Sequence, residues 1–108
     1  MNKINIHKSI CDELHNIYVT KNSDYGDSYK TVRDKYKNSI LIRLNDKLNR
    51  LESLYDTDKV QKVKDESVKD TLLDLANYCI LELIEIKSEE IKEAWNKSFA
   101  PVKNRLKS

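Results

Sequence analysis

Three carboxylates recur every four residues, at Glu66, Asp70 and Asp74, on the most apolar stretch of the chain. Side chains spaced by four lie on one face of a helix. Asp74 stands between Leu73 and Leu75, and a buried carboxylate is costly unless a cation or a metal ion accompanies it. Mg²⁺ binds through one or two carboxylates together with waters and phosphate oxygens. The spacing therefore predicts a magnesium site. The alternative is structural: Glu66 caps the start of the helix, where negative charge is favourable, Asp70 is exposed, and Asp74 pairs with Arg43 or Arg50.

A second stripe carries mostly positive charge. Arg43, Asp46, Lys47 and Arg50 follow one another at i, i+3, i+4 and i+7, which is one helical face. Arginine binds phosphate oxygens in pairs and lysine acts as a point charge, while Asp46 adds an acid for a metal ion. The stripe predicts a phosphate-binding surface. A solvated face with internal ion pairs has the same spacing and remains the alternative.

Aromatic and amide groups accompany both stripes. Asn77 and Tyr78 follow the acidic residues by one turn, and Lys21, Asp24 and Tyr25 precede the single glycine of the chain. An asparagine amide can bond to a base edge or a sugar, and a tyrosine ring can stack on a base. These five residues are predicted to bind a nucleotide. The alternative is structural, with a loop that only joins helices and side chains that only pack.

The rest of the chain predicts an all-α bundle of four to five helices that must position these residues. Apolar residues recur at helical spacing, and one glycine and one proline among 108 residues argue against a turn-rich β architecture. The pattern predicts a helix at 4–21, a loop at 21–28, a helical region at 28–55 broken at Asn38–Ser39, a polar connector at 54–64, and a helix from 65, capped by Asp65 or Ser67 and ended by Pro101.

The length and the net charge of the chain limit the class of protein that it can be. The chain of 108 residues fits one domain, predicted at 1–100, with a basic tail at 101–108. So short a helical chain is expected to complete its core as a homo-oligomer. The net charge of +2 makes a nucleic-acid partner improbable, and no apolar run is long enough for a membrane span. Cys11 and Cys79 fit no metal or redox spacing and are expected to be buried in a reducing cytoplasm.

Three ordered motifs carry a resemblance to a known family. The sequence between residues 10 and 86 resembles the nucleotide modification-associated domain 1 family, whose members are small proteins common in bacteriophage genomes. The segments that carry the resemblance are 21–26, 43–51 and 66–78.

That family in turn resembles the all-α NTP pyrophosphatases of the MazG and dimeric dUTPase type. The resemblance implies that acidic residues from two helices hold Mg²⁺, and that a nucleoside triphosphate is cleaved to a monophosphate and pyrophosphate. It assigns the catalytic second motif to Glu66 and Asp70, which are four residues apart where the pattern has three. In the first motif Asp46 is the single acid on the relevant face.

Three functions remain open at this point. The first is a phage-type nucleotide-binding protein that acts as a Mg²⁺-dependent pyrophosphohydrolase in the host cytoplasm. The second is a non-catalytic sponge or sensor for a nucleotide or a nucleotide-derived signal, which the thin first motif favours. The third is a helical protein that binds a host protein through surfaces unrelated to nucleotides.

Overall fold

A computed structural model describes the backbone of residues 2–25, 27–56 and 61–107, and the side chains of residues 2–22, 27–56 and 67–99. Within this part of the chain all regular structure is helical, in four helices and no strands. The all-α bundle predicted from the sequence is therefore confirmed. The helices are α1 (Lys3–Tyr25), α2 (Ser28–Lys35), α3 (Ser39–Asp56) and α4 (Gln61–Lys107).

The first helix is longer than its apolar pattern predicts. It begins at a capped end, because the backbone N–H of Asn5 donates to Oδ1 of Asn2 at 2.9 Å and so satisfies one of the free N–H groups of the first turn. It continues to Tyr25, so the predicted loop at 21–28 is wrong for most of its length. The polar residues that suggested a loop are compatible with an exposed helical face.

The break at Asn38–Ser39 is confirmed and separates α2 from α3. The chain leaves α2 at Tyr36, which has an extended backbone and donates its N–H to the carbonyl of Val32 at 2.8 Å. The N–H of Ser39 then donates to the carbonyl of Tyr36 at 2.9 Å. This tight turn joins α2 to α3.

The last helix differs most from the sequence prediction. It begins at Gln61, so neither Asp65 nor Ser67 is its cap, because the residues before them are good helix formers and extend it. It passes through Ser88 without interruption and continues beyond Pro101 to Lys107. A proline removes one backbone donor, but its fixed φ is itself helical, and here it does not end the helix.

The described core is small and partly polar. The main interface joins α3 to α4, while α1 packs on α4 and α2 on α3. Among the described residues Leu14 and Leu51 are the buried apolar side chains, and Ser39, Thr71 and Asn77 are buried polar ones. Cys11 and Cys79 are both exposed, so their predicted burial is wrong. In the described part of the chain no helix is long and apolar enough to cross a membrane.

Candidate functional site

A network of hydrogen bonds fixes the short helix α2 on α4. The hydroxyl of Tyr29 donates to Oε1 of Glu82 at 2.8 Å. The guanidinium of Arg33 donates to both oxygens of the same carboxylate at 3.0 and 3.1 Å, and it also contacts Glu89. None of the residues of α2 is buried, so these polar contacts contribute much of what holds this helix on α4.

The network also fixes the ionisation of its members. Hydrogen bonds from Arg33 hold the pKa of the Glu82 carboxyl below its usual value, and the same contact raises the pKa of Arg33. Burial, followed by the hydrogen bond to Glu82, raises the pKa of Tyr29 well above that of a free tyrosine. Near neutral pH the network therefore consists of a carboxylate, a guanidinium and a neutral phenol.

A cleft of about 360 Å³ opens where the four helices meet beside this network. Its volume lies within the range typical of small-molecule sites. The lining combines cations, acids, amides and aromatic rings from all four helices and from the α1–α2 junction. The lining residues are Tyr18, Lys21, Asn22, Asp27, Ser28, Tyr29, Arg43, Lys47, Asp74, Asn77, Tyr78, Leu81, Ile84 and Glu85.

Arg43 lies between two of these rings. Its guanidinium carbon is 5.2 Å from the ring centroid of Tyr78 and 6.0 Å from that of Tyr29. One of its nitrogens donates to the hydroxyl of Tyr78 at 3.3 Å. A guanidinium at this distance from a ring face is attracted by the ring quadrupole. The cleft therefore holds a positioned cation with two aromatic surfaces around it.

The two charged stripes meet across the cleft. The ammonium of Lys47 on α3 is 3.1 Å from a carboxylate oxygen of Asp74 on α4, and their side chains are 25% and 40% exposed. Asp74 is thus only half-buried, which is less burial than its flanking leucines led us to expect. The apolar neighbours of Asp74 suggested that this carboxylate would need a cationic partner. Lys47 is that partner.

Asn77 is a buried polar residue of the cleft wall. Its side chain is 8% exposed, and its Oδ1 has no hydrogen-bond partner within the described structure. A buried oxygen without a partner costs the free energy of its lost hydration. Asn77 therefore places an unsatisfied polar group inside the cleft wall, at a cost to the stability of the fold.

Other residues predicted for the site lie elsewhere. Arg50 does not line the cleft: its Nε donates to the hydroxyl of Thr71 at 3.2 Å, and that hydroxyl donates to the carbonyl of Ser67 at 2.7 Å. Asp46 and Asp70 are exposed and do not line the cleft either. The side chains of Asp24, Tyr25 and Glu66 lie outside the described residues.

The described residues offer limited ligands for a metal ion. Among them, no group of three His, Cys, Asp or Glu side chains is close enough to hold one. Asp27, Asp74 and Glu85 nevertheless line the same cleft. Because Mg²⁺ keeps several waters and is often bound by one or two carboxylates plus substrate phosphates, these acids suit an ion that arrives with a polyphosphate better than a resident one.

Several residues of the cleft were not predicted from the sequence. Glu82, whose carboxylate holds α2 beside the cleft, lies two steps of four after Asp74, and this spacing was its signal in the sequence. Tyr18 and Tyr29 carried no such signal, because only the packing of α1 and α2 on the other helices brings their rings to the cleft.

A comparison with known families shows to which family the chain belongs. A family model described as nucleotide modification associated domain 1 matches residues 21–86. The chain belongs to this nucleotide modification associated domain 1 family. The resemblance that its motifs suggested is confirmed, and the matched segment begins at Lys21 rather than near residue 10. No curated protein and no solved structure matches the chain.

The cleft coincides with the family segment. All of its lining residues except Tyr18 fall within residues 21–86. The nucleotide modification associated domain therefore contains the α1–α2 junction, the Lys47–Asp74 pair and the two rings beside Arg43, whereas most of α1 and the end of α4 lie outside it.

Proposed function

We propose that this protein binds a nucleotide in the cleft between its four helices. The observation that carries the proposal is the arrangement of Arg43 and Lys47 beside the rings of Tyr29 and Tyr78 within the family segment. Cations bind phosphate oxygens, and tyrosine rings offer stacking surfaces for a base. The family description supports a nucleotide-related role of the chain.

The balance of charges supports a nucleotide over a simple anion. Lys21, Arg43 and Lys47 line the cleft together with Asp27, Asp74 and Glu85. A bare phosphate would meet attraction and repulsion together in such a site. A nucleotide offers both complementary parts, since its phosphates accept from the cations and its hydroxyl and amino groups donate to acids.

The test is calorimetric titration with a panel of nucleoside and deoxynucleoside triphosphates in EDTA. Arg43→Ala and Lys47→Ala should each weaken binding about tenfold or more, because each removes a charged hydrogen-bond donor. Lys92→Ala removes an equal charge from an exposed position of α4 outside the cleft and should leave affinity unchanged. Absence of binding by any nucleotide, or equal effects of all three variants, would refute the proposal.

A second candidate function is Mg²⁺-dependent pyrophosphohydrolysis of a nucleoside triphosphate. It is favoured by the acids that share the cleft with the cations and by the resemblance of the family to all-α pyrophosphatases. Asp74, with Asp27 or Glu85, would hold an ion brought by the triphosphate, which would supply stabilisation of charge on the phosphates. Lys47 and Arg43 would orient the phosphate chain.

Asp74→Asn separates the two functions. In EDTA the variant should bind nucleotides somewhat more tightly, because Lys47 loses its internal competitor and the cleft loses a negative charge. With Mg²⁺, pyrophosphate release should fall at least tenfold if the protein is an enzyme. Wild-type protein that binds nucleotides and releases no pyrophosphate with Mg²⁺ would reject the catalytic function and leave the binding function intact.

A further inference from the structure

One face of α4 is apolar and uncovered over about four turns. Leu72, Cys79, Leu83 and Ile86 are exposed, with exposed fractions of 48%, 54% and 37% for the leucines and the isoleucine in chain order. Ala76 lies on the same face and is half-buried. We call these five residues the α4 seam.

The seam lies opposite the cleft. Each of its members stands two positions from a residue of the cleft wall, as Cys79 does from Asn77 and Leu83 from Leu81. Two positions correspond to about 200° around a helix. The helix therefore uses one face for the cleft and the other face for an apolar stripe that the rest of the described chain does not cover.

The spacing of the seam matches that of a coiled coil. The residues follow one another by four, three, four and three, which is the 3.5-residue repeat of helices that wrap around each other. The exposed leucines of α3 differ, because Leu44, the apolar residue between Leu41 and Leu48, is half-buried, and the exposed residue between them is the polar Asn45. The periodicity therefore favours α4 as the surface that takes another helix.

The exposed area indicates that the chain needs a partner. Its accessible surface is 9107 Å², whereas a folded monomer of 12.7 kDa is expected to expose about 6,200 Å². Two chains together thus expose roughly 5,800 Å² more than two compact monomers would. Obligate dimers bury on the order of 2,000–5,000 Å² in their interface, so a second copy of this chain would cover part of this excess, and the elongated shape of the chain accounts for the rest.

Charges at the two ends of the seam set the orientation. Continuing the repeat gives Lys69 before the seam, and Glu90 and Glu93 after it, all exposed. Two parallel copies would place each of these charges against its own equivalent. In an antiparallel pair with Cys79 against Leu83 of the second copy, Lys69 lies against Glu93 of the second copy, and two-fold symmetry makes this contact twice. The same register sets Glu90 against Leu72 of the second copy and no longer against a second Glu90.

We infer that two copies of this protein associate through the α4 seam as an antiparallel helix pair, with the two clefts facing away from the interface. The contact uses Leu83 at its centre and the Lys69–Glu93 pairs at its ends. It is independent of any nucleotide, because the cleft residues lie on the opposite face.

Sedimentation equilibrium at about 100 µM protein tests the surface. The wild-type chain should be a dimer and Leu83→Glu a monomer with unchanged helical content, since Leu83 is 54% exposed in the single chain. The matched control is Ile91→Glu, which introduces the same charge on the same helix at a residue that is 71% exposed and lies off the seam. A monomeric wild-type chain, or equal loss of association in both variants, would overturn the inference.

Charge exchange tests the orientation. Lys69→Glu and Glu93→Lys should each weaken the dimer on the order of tenfold, because each turns two attractions into two repulsions. The double variant Lys69→Glu/Glu93→Lys restores both attractions and should associate within about threefold of the wild-type chain. Double-variant association no stronger than that of the single variants would overturn the antiparallel arrangement.

Discussion

At the scale of the residue, the cleft depends on side chains whose own partners hold them in place. Arg43 is oriented by the hydroxyl of Tyr78 and by two ring faces, and Lys47 by Asp74. A side chain held in its binding position loses less conformational freedom when a ligand arrives. Arg43 and Lys47 should contribute differently to the affinity for a nucleotide. The planar guanidinium of arginine donates paired hydrogen bonds in addition to its charge, whereas lysine supplies a point charge alone.

Arg43→Lys tests that difference. The variant keeps the charge and loses the planar guanidinium, so both the paired hydrogen bonds to phosphate and the contact with the rings are weakened. Nucleotide affinity should fall about tenfold, which calorimetric titration measures. Lys47→Arg is the control: it keeps a cation opposite Asp74 and should change affinity by less than about threefold. Equal effects of the two exchanges would contradict a geometric role of Arg43.

At the scale of the element, α2 is a short helix that polar contacts hold in place. It has no buried residue, yet it carries Ser28 and Tyr29 to the cleft. Arg33 and Glu82 are only 15% and 20% exposed, so their contact is better shielded from water than a surface ion pair. The position of one wall of the cleft therefore depends on this pair.

Arg33→Gln should release α2. Loss of the charged hydrogen bonds, with Glu82 left without its cation, should lower the free energy of unfolding by about 2 kcal/mol, measured by urea denaturation. Nucleotide affinity should fall as well, because Tyr29 loses its fixed position. Lys30→Gln on the same helix removes one half of the exposed Lys30–Asp34 pair and should leave both quantities unchanged. An equal response of the two variants would refute the anchor.

The same pair predicts a pH dependence. The folded-state pKa of Glu82 is lowered from 4.5, first by the hydrogen bonds from Arg33, so its contribution to stability is present above about pH 4.5 and is lost as the pH falls through the lowered value. The difference in unfolding free energy between wild type and Glu82→Gln should therefore be constant from pH 6 to 8 and shrink in acid. Urea denaturation at a series of pH values measures this difference. A difference that grows in acid would contradict the assignment.

The elements also show what the sequence could predict. The break at Asn38–Ser39 followed from the two polar residues there, and helical spacing placed Arg43 and Lys47 on one face of their helix, because periodicity fixes which residues share a face. The length of α4 did not follow, since the helix passes both Ser88 and Pro101, although a proline inside a helix removes a backbone donor and clashes with the preceding turn.

The limits of the cleft did not follow from spacing either. Arg50 shares the face of Arg43 but lies seven residues, or roughly 10 Å, further along the helix, and it bonds to Thr71 instead. Periodicity predicts which charged residues share one face of a helix. Which of these residues lie at the cleft depends on how the neighbouring helices pack. For the same reason the rings of Tyr18 and Tyr29 were missed.

At the scale of the whole molecule, the chain is elongated and has little core. Its extents are 71 × 35 × 24 Å and its radius of gyration is 19.4 Å, against about 13 Å for a compact chain of this length. Leu14 and Leu51 are the buried apolar side chains of its described part. So little buried apolar surface offsets little of the entropy lost on folding, and association through the α4 seam would supply the remainder.

This dependence on a partner predicts that stability varies with protein concentration. If folding and pairing are coupled, mass action raises the midpoint of thermal unfolding when the concentration increases from about 1 to 100 µM. Circular dichroism at the two concentrations should show this rise for the wild-type chain and for Ile91→Glu. Leu83→Glu should unfold at a lower temperature that is the same at both concentrations, because its seam carries a charge that a second copy would have to bury. A wild-type midpoint that does not change over this range would mean that the single chain already holds its full stability, and that the uncovered face of α4 contributes nothing to it.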